Sequence, residues 1–446
     1  MERIQRKVAT RITGALRTTP SDLLFPHAGL PPLQLHVEKI CQNSAIRIAT
    51  LPKHHPLHGI ALKAATRIPK KHPSPLQFIL NSLPLHISEI ETIDTIKKPP
   101  SWTPPIETSI PSTAEEAIAS ENKNEDDVKI YTDGSGQNGH IGAAAVLTRG
   151  FHPFAIARYY LGPDTEHTVY EGECVGQLLG LHLLNRLRPN IALDTVTLAV
   201  DNQASIKVHS VRKSGPGSYI INHIHDALTT AKRTHNNARI KMMWIPGHQG
   251  IPGSERVDRE AKRASEGAHR NVNSNTRLLR RRLPASKSAI KQQLRAHLKK
   301  KEARLFRASH RSHRMTRIDS LMPATKFPTE TNHLDRRHVS ILTQLRTSHI
   351  PLQAYLYRFN LELSPICPHC HAEPESVTHF LKYCNAFNGP RSTLQGRIGR
   401  LAEIDTTILG NPNHRNHLLK YIHSTGRFSE THGNLNPPTP QQNRND

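Results

Sequence analysis

The sequence predicts a mixed α/β sheet with helices on both faces, set between helical flanks and a small Cys/His module. Three observations predict it. Residues 128–267 alternate short apolar strands with helix-length segments in the order βββαβααβα. A Pro/Ser/Thr-rich stretch precedes that pattern and a Lys/Arg-rich stretch follows it, so the sheet stands as one domain among several. Three of the five cysteines fall late, at Cys367, Cys370 and Cys384, with His379 between them.

Taken in order, residues 1–96 read as helical, with Leu/Ile/Val spacing broken by Pro. Their Arg-rich start, MERIQRKVATRITGALR, reads as a surface helix in preference to a mitochondrial transit peptide. Residues 97–127 carry Pro, Ser, Thr and acids and read as a disordered linker. VKIYTDGSG, HIGAAAVLTR and FAIARYYLG follow as strands, the first two meeting at a Gly/Asn turn. A long helix is expected over 169–187, a strand in TVTLAVD, helices over 204–209 and 219–233, a strand in RIKMMWIPG, and a last helix over 254–265. That makes a five-stranded sheet. Residues 268–330 read as a basic helical arm, residues 331–395 as the Cys/His module and residues 396–446 as a polar tail.

With 446 residues the chain exceeds one ordinary core. Its formal net charge of +24 favours a polyanionic partner, most simply nucleic acid. From Arg277 to Arg317 the only acid is Glu302. This stretch reads as a solvated helix, a nuclear-localisation signal or a phosphate-contacting arm, and the arm is preferred. No run reaches the length of a membrane span, and five cysteines do not suit a secreted disulfide framework. The expected setting is intracellular, nuclear in preference to cytoplasmic, with no membrane partner.

Each acid of the sheet domain has an ordinary reading when taken singly. Asp133 suits a turn, Asp201 a helix N-cap, and Asp258 the first turn of a helix. Jointly they suggest more. Asp133 and Asp201 both end apolar strands; if those strands are parallel neighbours, their carboxylates emerge together at the sheet edge where α/β folds place their sites. On the 169–187 helix, Val169, Glu173, Gly176, Gly180, Leu184 and Leu187 form a sheet-facing stripe, while Glu171 lies about 200° from Glu173 and is expected to face solvent. Glu173 is the glutamate that can join the aspartates. Crowded carboxylates without basic partners raise one another's pKa, and Mg²⁺ relieves that conflict. Two such ions about 4 Å apart serve phosphoryl transfer.

TDGS at 132–135, GE at 172–173, VDNQA at 200–204 and GHQGIPGSERVDREA at 247–261 resemble the type 1 ribonuclease H domain. The form is closest to the domain carried by non-LTR (LINE-type) retrotransposon polyproteins. The resemblance covers about a third of the chain. It implies a ribonuclease H-like fold and hydrolysis of the RNA strand of RNA–DNA hybrids, leaving 5′-phosphomonoesters. It also implies that Asp133, Glu173, Asp201 and Asp258 hold two Mg²⁺ ions, with Mn²⁺ an alternative, and that His248 assists proton transfer and product departure. Segments at RKVATRITGALRTTPSDLLFPHAGLPPL and LRTSHIPLQAYLYRF resemble regions beside the polymerase and near the end of such polyproteins. Ser254 stands where the family often has Asn, and Val257 where a smaller residue is usual.

Cys367, Cys370, His379 and Cys384 have the spacing C-x2-C-x8-H-x4-C, which suits tetrahedral Zn²⁺ in preference to a redox pair. His369 and His371 compete as ligands, and His379 is preferred for its spacing to Cys384. Cys41 and Cys174 read as small buried residues. The module resembles retroelement zinc knuckles, which makes single-stranded nucleic acid a second expected partner. The rival to a nuclease is an inactive nucleic-acid-binding remnant using the arm and the zinc module; a DNA nuclease on the same fold is disfavoured by the spacing of the acids.

Overall fold

The computed structural model describes residues 1–67, 72–94, 98–99, 101–126, 128–150, 152–188, 193–236, 238–267, 278–399 and 404–437. Two compact units are formed, one by residues 39–296 and the other by residues 1–38 with 297–446.

The first unit holds a six-stranded mixed sheet. Its strands are β1 (Glu107–Ser109), β2 (Val128–Gln137), β3 (His140–Arg149), β4 (His152–Pro163), β5 (Thr195–Val200) and β6 (Arg239–Trp244), in the order β1-β6-β5-β2-β3-β4. Strands β2, β3 and β4 pair antiparallel, and the β2–β5, β5–β6 and β1–β6 pairs are parallel. The expected order βββαβααβα is present. The β2–β3 turn is Asn138-Gly139, both at positive φ (52° and 79°), the conformation a two-residue hairpin requires.

Helices Val169–Asn185 and Ser218–Thr234 cover one face of the sheet, burying Leu178, Leu198, Ile224 and Leu228. Helix Pro252–Ser265 covers the other, where Val257 packs with Tyr131, Ala144 and Ala199. The larger residue at 257 therefore fills space between two strand alanines.

β2 does not stop at Asp133. It continues to Gln137, with Asp133 opposite Ala144, so the Gly-Ser-Gly that follows is strand and the turn comes later. Glycine serves a close approach here. A Cβ on Gly134 would lie 2.2 Å from the Glu173 backbone nitrogen.

The sixth strand corrects the linker expectation. β1 and helix Ala114–Asn122 arise within residues 97–127. Acids that suggested solvation find partners: Glu121 accepts the Tyr131 hydroxyl at 2.6 Å and Lys129 at 3.2 Å, and Asp126 pairs with Lys241 at 3.2 Å. β1 also covers the edge of β6, whose backbone groups would otherwise lack a strand partner on that side.

Residues 39–93 form their own small core, with Ile46, Leu80 and Ile90 packed against Ala285, Ile290 and Leu294. Helix Lys287–Arg307 is thus no free arm; its charged face is solvated and its apolar face is buried. Residues 268–277 of the expected arm lie outside the described residues.

The second unit is helical. Phe306, Met315, Phe327, Ile341, Leu345, Phe380, Leu418, Tyr421 and Phe428 share its core. The tail is accordingly not polar throughout. Helix Arg415–Ser424 buries Leu418, Leu419, Tyr421 and Ile422, and the Tyr421 hydroxyl donates to the Phe380 carbonyl at 2.5 Å. Residues 438–446 lie outside the described residues. Among the described residues no helix is long and apolar enough to cross a membrane.

Candidate active site

Parallel pairing of β2 with β5 runs in register to Thr132 opposite Val200. Asp133 and Asp201 are the next residue of each strand, so the two carboxylates leave the sheet side by side. Glu173, one turn into its helix, reaches them because Gly134 lets that helix rest directly on β2. Ligand oxygens of Asp133, Glu173 and Asp201 all lie within 4.8 Å of one another.

Asp258 lines the same cavity of about 370 Å³, together with His248, Ser254, Ser135 and Lys262. It is not part of the close trio. Its carboxylate takes the Lys262 ammonium at 2.7 Å, an i,i+4 pair along helix Pro252–Ser265. Lys262 escaped the sequence reading, although its position four residues after Asp258 was a signal for it. His248 sits at φ 54° in the turn before that helix. A Cβ on Gly247 would lie 3.0 Å from Asp201 Oδ2, so a glycine keeps this loop close over the aspartate.

The electrostatics are those of an anionic pit. Burial, then the charges of Asp201 and Asp258, push the Asp133 carboxyl up to about 7. Burial, then Asp201 and Asp133, hold Glu173 well above the usual carboxylate range. Burial raises Asp201 as well, partly offset by its own backbone amide and by His248. Glu173 Oε2 is buried without a hydrogen-bond partner among the described residues. Three carboxylates this close together have the donor chemistry to hold a divalent cation.

Glu171 overturns the expectation of a solvent-facing side chain, since it is 1% exposed. Its Oε2 caps the helix by accepting the Thr168 amide at 2.9 Å. Chain from outside the sheet closes over its outer side: the Ala285 amide donates to the Glu89 carbonyl at 2.7 Å, and the Ser286 amide to the Glu166 carbonyl at 2.6 Å. Burial, then Glu91, push Glu171 up to about 7. A helical wheel cannot show a cover supplied by residues 89–91 and 285–286, both distant from Glu171 in the chain.

In the other unit the Sγ atoms of Cys367, Cys370 and Cys384 and a ring nitrogen of His379 lie within 4.8 Å of one another. Cys367 and Cys384 Sγ are 3.8 Å apart, and Cys370 Sγ is 3.3 Å from His379 Nε2. A tetrahedron of ~2.3 Å zinc–sulfur bonds has edges of about 3.8 Å, so the set fits zinc. His379 Nδ1 faces Glu373 at 3.2 Å, which leaves Nε2 toward the thiols. Backbone amides, that of Ala372 first, lower Cys370 to about 7. His369 stacks on Phe387 and His371 occupies a left-handed turn; neither joins the cluster. Cys174 is buried as expected, whereas Cys41 is only half-buried.

Residues 125–266 match the RNase H family model. No curated protein matches the chain. Among solved structures, it is similar to the N-terminal RNase H domain of Rv2228c from Mycobacterium tuberculosis, fused to maltose-binding protein. That likeness has 19% identity, covers 32% of this chain and 96% of that one, and has a TM-score of 0.25. LC11-RNase H1 in complex with an RNA/DNA hybrid is similar at 16% identity, covering 32% and 98%, TM-score 0.25. RNase H1 from the halophilic archaeon Halobacterium salinarum NRC-1 is similar at 16% identity, with the same coverage and a TM-score of 0.23.

Proposed function

We propose that the RNase H domain at residues 125–266 makes this chain an endoribonuclease that hydrolyses the RNA strand of RNA–DNA hybrids. The observation that carries the reading is the trio of Asp133, Glu173 and Asp201, buried together with raised pKa values and an unpartnered Glu173 oxygen. These three carboxylates, with Asp258 at the rim, would hold Mg²⁺. When bound, the ions supply charge neutralisation at the scissile phosphate and lower the pKa of a nucleophilic water.

The chain's own residues do the rest. Ionised Asp133, Glu173 and Asp201 fix the anionic side of the cavity, and the low exposure of Asp133 and Glu173 (7% and 4%) keeps bulk water from screening it. Asp258 would join by exchanging Lys262 for the cation, which leaves that ammonium facing the polyanion. His248, on its glycine-flanked turn, would take up the proton released as water adds to phosphorus. The P–O3′ bond would break, the leaving 3′ oxygen would take a proton from solvent, and the 5′-phosphate would depart. RNA would be distinguished from DNA in the cut strand by its 2′-hydroxyls. The charged face of helix Lys287–Arg307 would add salt-sensitive, sequence-independent affinity. Cys367, Cys370, His379 and Cys384 would hold a structural zinc. The flanking segments support a retrotransposon origin by their resemblance alone.

The test is cleavage of a labelled RNA–DNA hybrid by the full chain with Mg²⁺, beside Asp133→Asn and an RNA–RNA duplex. Cutting of the hybrid alone, abolished in Asp133→Asn, supports the enzyme. Salt-sensitive binding without cleavage by either protein would replace it with the binding remnant.

A further inference from the structure

A cavity of about 260 Å³ opens in the unit of residues 1–38 and 297–446. Arg314 and Arg358 line it with Tyr355, Ser348, Ser376 and Thr378. The acid in its wall is Glu375, and that charge is already neutralised. Its carboxylate is fully buried, takes Arg427 through two bonds of 2.7 and 2.8 Å, and accepts the Gln353 amide at 2.8 Å. Arg314 and Arg358 are the cationic groups of the lining.

Arg358 is positioned by rings and not by an acid. Its guanidinium carbon lies 5.3 Å from the Tyr355 ring centre and 5.1 Å from that of Phe359. Tyr355 is itself fixed through its hydroxyl contact with Thr18 and its edge against the His349 ring. Among the described residues, no carboxylate or carbonyl accepts the Arg358 donors. The local field is visible at His349, which burial, then Arg358, Arg311 and Arg314, push down to about 4, with Asp22 opposing. On either side of Arg358 in the chain, Tyr357 and Phe359 are 48% and 40% exposed.

We propose that this cavity binds a phosphodiester of unpaired nucleic acid, with Arg314 and Arg358 on the phosphate and Tyr357 and Phe359 offering faces to adjacent bases. A guanidinium preset on aromatic rings with its donor fork unpaired is suited to bidentate phosphate recognition. Exposed aromatic faces select unpaired strands, because duplex bases are already stacked on one another. An acidic peptide would match the charge of the arginines and give the rings no partner. The site is separate from the carboxylate cavity, so it stands or falls independently of hybrid hydrolysis.

Fluorescence anisotropy of the full chain with a labelled oligo-dT of about 20 nucleotides tests it. The double variant Arg314→Gln/Arg358→Gln is expected to bind at least tenfold more weakly at about 0.1 M salt, with a salt slope shallower by about 1.4. Tyr357→Ala, which leaves both rings that hold Arg358 in place, should weaken binding and leave the slope unchanged. Thermal melts check that each variant folds. Should one melt early, photo-cross-linking of a bromodeoxyuridine oligonucleotide to the wild type decides, with adducts expected within residues 347–359. Unchanged affinity and slope in a folded double variant, or adducts confined to residues 280–301, overturn the site. So would loss of binding to a poly-glutamate peptide with oligonucleotide binding intact, which assigns the cavity to an acidic protein partner.

Discussion

Asp133 holds its proton to about pH 7 in the folded chain, against roughly 3.9 in an unfolded one. Folding therefore favours the protonated form. The stability this contributes is complete below about pH 4 and is lost as pH rises through about 7, with Glu173 and Asp201 acting in the same direction. Buried His167 and His209 and half-buried His225, held below the usual histidine range, act in the opposite direction over the same window, so the carboxylate contribution is read from the difference between wild type and Asp133→Asn. Asp133→Asn should recover part of the carboxylate loss at pH 8, on the order of 4 kcal/mol at most, while abolishing hybrid cleavage. Mg²⁺ should raise the wild-type midpoint at pH 8 and leave the variant nearly unmoved. A metal-free Asp133→Asn midpoint that only parallels the wild-type midpoint from pH 5 to pH 8 would remove the strained-carboxylate account. Gly134 acts at the same scale by a different route. Its missing Cβ lets the Glu173 backbone sit against β2, so Gly134→Ala must displace the helix. Cleavage should fall by about two orders of magnitude, as expected when a reacting group moves by about 1 Å, with hybrid affinity changed far less. Kinetics with near-normal rates in Gly134→Ala would refute the close-approach role.

At the scale of elements, the informative case is β1, because composition argued against it. Three residues of strand would contribute little alone. They are anchored by Ile106, which is 4% exposed in the sheet core, and by Glu121 and Asp126 of the same segment. Ile106→Ala should destabilise the unit by about 2–4 kcal/mol, read as a shift in its denaturation midpoint. A loss under about 0.5 kcal/mol, the range of surface substitutions, would return the segment to the linker reading. The Cys/His cluster is the second case. His379 and Cys384 bracket Phe380 and Leu381, which are completely buried in the core of their unit. The proposed zinc ligands and core packing are thus carried on one short element, and His379→Ala should lower zinc content from an expected one equivalent and cost unit stability together. Full zinc loading of that variant, measured by elemental analysis, would point to a different ligand set.

For the whole molecule, two compact units with separate cores predict two unfolding transitions. Chelation of zinc should move one transition, and Mg²⁺ or pH the other. Hybrid cleavage should survive chelation under Mg²⁺, because the carboxylate trio and the Cys/His cluster belong to different units. A single transition moved equally by both treatments would contradict that separation.

Much of the first unit was legible in the sequence. Strand alternation, helix periodicity, the place of Asp133 and Asp201 after apolar strand residues and that of Glu173 on a sheet-facing stripe are local, and local pattern sets which face a residue takes. Hence Asp133, Asp201 and Glu173 were predictable as one group, and the cysteine spacing predicted the second cluster. What tertiary structure decided is everything that depends on distant chain. It buried Glu171 beneath residues 285–286 and beside Glu91, paired Asp258 with Lys262, and turned a nominal linker into the sixth strand. It also gave the expected polar tail a place in a shared core, and gathered Arg314, Tyr355 and Arg358 around one cavity. Composition treats a charge or an apolar residue by its average surroundings. Its real partner is fixed only when segments far apart in the chain pack together.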